Sequence, residues 1–365
     1  MKNTFGTNVL TTIFGESHGP AVGGVLDGLA PGIPVDFEFI KKKLSLRRPQ
    51  GQISTARVEA DEFEIVSGVY DGKTTGTPLT VLIPNKNVKS ADYEATRDLA
   101  RPGHADYTGF VKYNGFADPR GGGHFSGRVT AALVALGAVA QAALEAKGVG
   151  IGTHIARLAH VSDRGFSDLN ADIAALSDRV FPVLDNGAAE KMQAAILKAK
   201  DENDSVGGVL ETVVTGLPAG VGEPWFDTLE GLLSHGLFSI PGVKGVEFGD
   251  GFALAGMRGS EANDAFRPSQ GGVVTETNRN GGINGGISNG MPLLFRCAVK
   301  PTPSIFQTQK TVKLSTGEAA EISLAGRHDP AIVHRARAVV DAVTALVLCD
   351  ALATKFGTDW LGGTK

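Results

Sequence analysis

The chain has 365 residues, of which 42% are hydrophobic and 20% charged, and its formal net charge is −4. This length and balance belong to an ordinary globular protein with a substantial core, in one large domain or two. The negative net charge excludes a global attraction to nucleic acid or anionic membranes, so any anion site must come from locally clustered Arg and Lys.

Two cysteines, Cys297 and Cys349, sit in apolar stretches and read as buried thiols in a reducing compartment. The N-terminus has no apolar run of signal-peptide length, and the longest apolar stretch, residues 131–140, is about half a membrane span. The chain therefore reads as cytoplasmic. The 49 glycines cluster at 121–123, 271–272, 281–282 and 285–286, a pattern of tight turns or close backbone approach to a ligand.

Residues 14–28, FGESHGPAVGGVLDG, put Ser17 and His18 in a turn between Gly15 and Gly19. An imidazole there is expected to be accessible and able to act as an acid near neutral pH, although a surface turn with a chance histidine fits equally. The strand-like VGGVL leads through a Leu/Pro/Gly turn to Asp36, which can cap a helix carrying Phe37, Ile40 and Leu44 on one face. Arg47 and Arg48 end that helix before Pro49. They suit the helix dipole first, and the functional alternative is a bidentate clamp for phosphate or carboxylate. Residues 79–83 read as an apolar strand.

Residues 101–133 hold Arg101, His104, Arg120, His124 and Arg128 around three consecutive glycines. Five groups able to carry positive charge in so short a run argue against a plain surface loop. The glycine-rich loop opens a helix near Ser126 and so presents backbone N–H groups and a positive dipole end. Ser126 suits either a cap or an anion contact. The loop is neither a Walker loop nor a G-x-G-x-x-G turn. The helix after Gly127 is almost continuously Ala, Leu and Val, as a buried helix is, and stops at Gly148.

The second half echoes the first. Residues 206–226, VGGVLETVVTGLPAGVGEPWF, repeat the plan of residues 22–37, VGGVLDGLAPGIPVDF. The helix patterns that follow, FDTLEGLLSHGL and FEFIKKKLSL, also correspond, as do SNGMPLLFRCAVKP (288–301) and TTGTPLTVLIPN (74–85). Two echoes in the same order point to a duplication, with halves of about 1–200 and 201–365. No Pro- or Ser-rich linker separates them, so a single domain over 1–365 is expected. Strands bunched between helices without βαβ order indicate α+β layers. Lys300 leaves a buried strand ahead of the hydroxyls of Thr302 and Ser304. Asp329 and Pro330 read as an N-cap and first helical residue, opening a helix with Ile332, Val333, Ala336, Val339, Val340, Val343 and Val347 at helical spacing.

Six stretches in this order resemble the chorismate synthase family: FGESHGPAVGGVLDGLAP; RPGHADY with GGGHFSGRVTAALVALGAVA; VKGVEFGDGF; GGINGGISNG; KPTPSI; and GRHDPAIVHRARAVVDA. The resemblance implies an α+β fold, one domain of two internally related halves with helices sandwiched between two four-stranded antiparallel sheets, assembled as a homotetramer. It implies a lyase that converts 5-enolpyruvylshikimate 3-phosphate to chorismate and phosphate by anti-1,4-elimination with reduced FMN (FMNH2), the last step of the shikimate pathway to the aromatic amino acids. NADPH would be the reductant, directly or through a separate flavin reductase.

Carried over by position, the resemblance implies His18, His104 and Asp329 as catalytic. His18 would protonate the departing phosphate, His104 would meet reduced flavin at N1, and Asp329 would accept the substrate proton, directly or through flavin N5. His124, Phe125, Ser126, Pro241, Gly242, Gly286, Lys300, Pro301, Thr302, Pro303, Ser304 and Arg327 would contact FMN, and Arg47 the reductant nucleotide. Ser17, Arg48, Arg101 and Arg128 would hold the substrate. The chain departs from the family pattern in having His124 where many members have Arg, Ile53 where many have a second nucleotide-contacting Arg, and Asp341 for a late Glu. A metal-dependent phosphatase on His18, His104, His124 and Asp329 lacks His-x-x-x-His or paired-carboxylate spacing. An RNA-binding surface on FVKYNGF beside Arg120 lacks a basic balance and an aromatic RNP motif.

Overall fold

The computed structural model describes residues 2–49, 51–55, 60–86, 96–324 and 328–362. Two antiparallel sheets flank a layer of helices. The first sheet holds β1 (Thr4–Phe5), β2 (Leu10–Gly15), β3 (Ala21–Asp27), β4 (Glu64–Ser67) and β5 (Leu79–Pro84), in the order β1-β2-β3-β5-β4. The second holds β6 (Gly150–Leu158), β7 (Val161–Ser162), β8 (Gly208–Thr215), β9 (Val243–Phe248) and β10 (Leu293–Val299), in the order β9-β10-β8-β6-β7. Each sheet is thus the expected set of four longer strands, extended by an edge strand of two residues. Alternation decides the faces: in β5, Leu79, Val81 and Ile83 point into the core and the residues between them do not.

Without the edge strands, β2-β3-β5-β4 and β6-β8-β10-β9 have the same order. The corresponding pairs β3/β8 and β5/β10 carry the sequence echoes. The matching set of strands in the second sheet starts at β6, ahead of residue 200. Two helices, α4 (Leu169–Ser177) and α5 (Asn186–Asp201), are inserted between its first long strands and displace the echo along the chain.

The middle layer follows from helices with too little polar surface for water. Helix α1 (Phe37–Leu46) is capped as expected: the Asp36 carboxylate accepts from the N–H groups of Glu38 at 2.9 Å and Phe39 at 3.0 Å. Its buried face holds Ile40 and Leu44, whereas Phe37 lies at the surface and stacks on Phe63. Helix α2 (Asp106–Lys112) precedes α3 (Thr130–Glu145), which packs on β3 and β5. Helix α6 (Leu229–Phe238) leans on α7 (Val333–Phe356), which packs on β6 and β8. Residues Gly127–Glu145 are long and apolar enough to cross a membrane, but they are mostly buried between the sheets. Helices α3 and α7 cross at Gly137. A Cβ there would stand 2.4 Å from the Cβ of Ala342 and 2.6 Å from its Cα, so no other residue allows this approach. Both cysteines are buried and unpaired, and burial pushes the Cys297 thiol up to about 12.

Asp329 does not cap α7. The helix begins at Val333 after Ile332, with no side-chain cap, because the Asp329 carboxylate is engaged elsewhere.

Candidate active site

One end of the helical layer opens into a cavity of about 990 Å³. Its floor is apolar, formed by Ile13 of β2, Leu133 of α3, and Ile332, Val339, Val343 and Leu346 at α7. Its rim is cationic. Arg47 and Arg48 reach it from the C-terminus of α1, Arg101 from the loop before α2, Arg128 from the turn opening α3, Lys300 from the end of β10, and Arg335 from the first turn of α7.

Two of these arginines share one buried carboxylate. Arg47 Nη1 donates to Asp61 Oδ2 at 2.7 Å, and Arg128 pairs with Asp61 Oδ1. Burial pushes the Asp61 carboxyl up, but the two guanidinium groups outweigh it and hold it below the ordinary carboxylate range. Burial moves Arg47 the other way, below the usual arginine value, against the pull of Asp61. Arg128 is held further by Asn85 Oδ1 at 2.9 Å. Arg48 donates to the carbonyl of Ala60, while its buried Nε has no hydrogen-bond partner.

The loop before α2 closes on Asp106. Arg101 donates to it from Nε and Nη2, each at 2.7 Å, and from its backbone N–H at 3.0 Å. His104 Nδ1 lies 2.7 Å from Asp106 Oδ1. A carboxylate only accepts, so Nδ1 carries the hydrogen and Nε2 is the nitrogen turned away. Burial pushes the Asp106 carboxyl up, but Arg101 and His104 hold it well below the carboxylate range.

The glycine-rich loop lies between the two candidate catalytic histidines. All three glycines have positive φ. A Cβ on Gly121 would stand 2.2 Å from His18 Cε1, and one on Gly122 would stand 3.2 Å from His104 Nε2. His18 is 6% exposed and Ser17 fully buried, so the accessible turn expected for them is not found. The loop folds over them, with Ser17 N–H donating to the Gly123 carbonyl at 3.0 Å. They sit behind Gly121, which lines the cavity, and are not in its wall. The Ser17 hydroxyl is buried without a partner. His124 Nδ1 donates to the Gly15 carbonyl at 2.8 Å, which ties it to the backbone of β2. Ser126 caps the turn opening α3, accepting from Arg128 N–H at 3.3 Å.

Opposite, Lys300 Nζ donates to the Gly103 carbonyl and ties residues 300–304 to the Arg101 loop. Ser304 is buried, and the Thr302 hydroxyl is buried without a partner. Gly242, at φ +95°, accepts from Lys300 N–H at 2.9 Å. Asp329 Oδ1 accepts from Thr55 N–H at 2.9 Å, and its other oxygen pairs with Arg335, whose Nε donates to the Arg47 carbonyl at 2.8 Å.

The structure therefore brings to one cavity His104, Asp329, His124, Phe125, Ser126, Pro241, Gly242, Lys300, Pro301, Thr302, Pro303, Ser304, Arg47, Arg48, Arg101 and Arg128. Gly286 is not in its wall. It accepts from Leu229 N–H at 2.8 Å in the turn entering α6, and its φ of +87° and contact with Thr228 account for the glycine. Arg327 lies outside the described residues. Ile53 is a core residue, and Asp341 lies outside this cavity. Among the described residues no three His, Cys, Asp or Glu side chains converge as metal ligands. Asp61, Asp106 and Arg335 were not expected from the sequence. Asp106 had a local signal, two residues after His104, whereas Asp61 had none.

The sequence profile of the chorismate synthase family matches residues 9–353. A chorismate synthase of Methanocella arvoryzae is 48% identical over 353 residues, covering 95% of this chain and 93% of the relative. One of Dehalococcoides mccartyi is 46% identical over 360 residues, covering 98% of each. A crystal structure of chorismate synthase superposes with a TM-score of 0.77 at 29% identity, covering 97% of this chain and 94% of the other. With the same fold over nearly its whole length and close to half its residues shared with these enzymes, the chain belongs to the chorismate synthase family, the lyases that complete the shikimate pathway.

Proposed function

We propose that the large cavity holds 5-enolpyruvylshikimate 3-phosphate beside reduced FMN and releases chorismate and phosphate by anti-1,4-elimination. The observation that carries this reading is the joining of an apolar floor to an arginine rim in one space. A flat ring system suits such a floor, and a substrate with one phosphate and two carboxylates suits such a rim. The donor set fits FMN: the unpartnered Thr302 hydroxyl, buried Ser304, Lys300 and Ser126 offer polar contacts, and Gly242 and Phe125 border apolar surface. When bound, reduced FMN supplies electron density transiently to an elimination with no net redox change.

The chain's own groups do the rest. Arg48, with a buried Nε still to satisfy, and Arg101, oriented by Asp106, bind substrate anions. Arg128 is already committed to Asp61 and Asn85 and contributes mainly by shaping the rim. His18, which lies behind the wall, faces the cavity only past Gly121, a residue with no side chain to block it, and by that route protonates the leaving phosphate oxygen, a role worth about 10²–10⁴-fold. Asp106 keeps the His104 proton at Nδ1, and Asp329, held between Thr55 and Arg335, accepts the substrate proton. With Arg47 engaged by Asp61 and Ile53 in the core, residues 47–53 favour a separate flavin reductase over direct use of NADPH. The same reading makes the protein a cytoplasmic homotetramer whose halves arose by duplication, which the matching strand order supports.

Anaerobic incubation with 5-enolpyruvylshikimate 3-phosphate and photoreduced FMN is expected to release chorismate and phosphate in equal amounts. Equal turnover with oxidised FMN, or with no flavin, would overturn the cofactor assignment. Absence of chorismate with reduced FMN at saturation would overturn the substrate.

A further inference from the structure

A second cavity, of about 230 Å³, lies between α1, α3, α4, α7 and β6, apart from the catalytic one. Its base is charged and buried. Lys43 is 7% exposed, Arg337 2% and Asp341 3%. Arg337 Nη2 donates to the Leu176 carbonyl, but its Nε and Nη1 are buried without hydrogen-bond partners. Nε stands 3.7 Å from Asp341 Oδ2, too far for a hydrogen bond, and Asp341 Oδ1 is also buried without a partner. Each unmade bond to a buried charged group is costly, so a site with two open guanidinium donors and one open carboxylate acceptor is incomplete as it stands.

The open groups define what completes them. Lys42, Lys43 and Arg337 bring three positive charges to the lining and Asp341 and Glu145 two negative ones, so the pocket keeps a net charge of +1 and suits a small anion. The ligand must also present a hydrogen to Asp341, because two sets of lone pairs would repel each other there. We propose that this pocket binds a small oxyanion bearing an acidic O–H, of which protonated inorganic phosphate is the fitting example. Sulfate, fully deprotonated near neutral pH, satisfies Arg337 but not Asp341. Burial lowers the Lys43 pKa, and an anion beside it would restore the charged form. Gln141, itself buried, donates to Glu145 at 3.0 Å, so these two lining side chains already engage each other, while Arg337 and Asp341 keep open hydrogen-bonding groups.

Arsenate and selenate provide the test, since arsenate keeps an O–H near neutral pH and selenate does not. Crystals soaked in each are expected to show an anomalous arsenic peak within hydrogen-bond distance of Arg337 and Asp341, with no selenium peak at that place. Water alone in the pocket in both soaks, or selenium as strong as arsenic, overturns the proposal. In solution, calorimetric titration with phosphate should resolve this site from the arginine-rimmed cavity. Asp341→Asn should admit sulfate, which the parent pocket refuses, while still taking phosphate, because an amide can donate or accept where a carboxylate can only accept. A variant that titrates like its parent with both anions would show that Asp341 does not select the occupant.

Discussion

Gly121→Ala tests whether the buried His18 acts as the acid. Gly121 has φ +60°, where an alanine costs about 1–2 kcal/mol. Its methyl would stand 2.2 Å from His18 Cε1, 2.3 Å from Nδ1 and 3.0 Å from Ser17 Oγ. Carbon atoms rest at about 3.5–4.0 Å, so the ring would have to retreat by roughly 1.5 Å. Ser17 is fully buried and His18 nearly so, so the ring cannot simply swing out into solvent. Overpacking of this kind costs about 1–3 kcal/mol, for a total of about 2–5 kcal/mol. A fold with about 5–15 kcal/mol in hand survives that loss, but a proton donor displaced by an ångström costs on the order of 100-fold in rate. Urea unfolding is expected to stay cooperative at a lower midpoint, while anaerobic turnover with saturating reduced FMN falls by about 100-fold. Turnover within a few-fold of the parent would refute the contact between this loop and the catalytic acid. Loss of the cooperative transition would show instead that the loop is needed to fold.

Asp329→Asn removes the charge paired with Arg335 and the proposed base; turnover is expected to fall by about 10²–10⁴-fold in a folded protein that still binds reduced FMN. Turnover within about tenfold of the parent, measured in the same assay, would remove Asp329 from the mechanism. His154 is buried between Asp163 at 2.9 Å and Glu211 at 3.2 Å; burial pushes its pKa down, but the two carboxylates outweigh it and raise it above the ordinary 6.5. The folded chain therefore holds a proton that the unfolded chain releases, so this contribution is complete below about pH 6.5 and is lost as pH rises through the folded value. His154→Gln is expected to flatten that decline in unfolding free energy, and an unchanged pH slope would refute it.

What could be read along the chain was what local chemistry decides. Asp36 caps α1 through N–H groups two and three residues away, and the Ala/Leu/Val run of α3 admits only a buried helix. The echoed strands were legible because β3 and β8, and β5 and β10, meet the same neighbours in matching sheets. Contacts between distant segments were not legible. The turn around His18 looks exposed until residues 121–123, remote in sequence, fold over it. Asp329 has the neighbours of an N-cap, yet Thr55 N–H and the Arg335 guanidinium compete for its oxygens and prevail. Asp61 lies in an undistinguished acidic stretch and becomes the shared counter-charge of Arg47 and Arg128 only when α1 and the start of α3 converge.

The crossing at Gly137 couples the two helices that carry the two sheets. Helix α3 carries one sheet and leads back to Arg128; helix α7 carries the other and leads back to Arg335. At Gly137 the helices meet almost backbone to backbone, so a roll of one at that point presses directly on the other. The two cationic walls of the cavity are therefore mounted on one fulcrum. Their spacing is set at a point remote from any ligand, by the absence of a single methyl group.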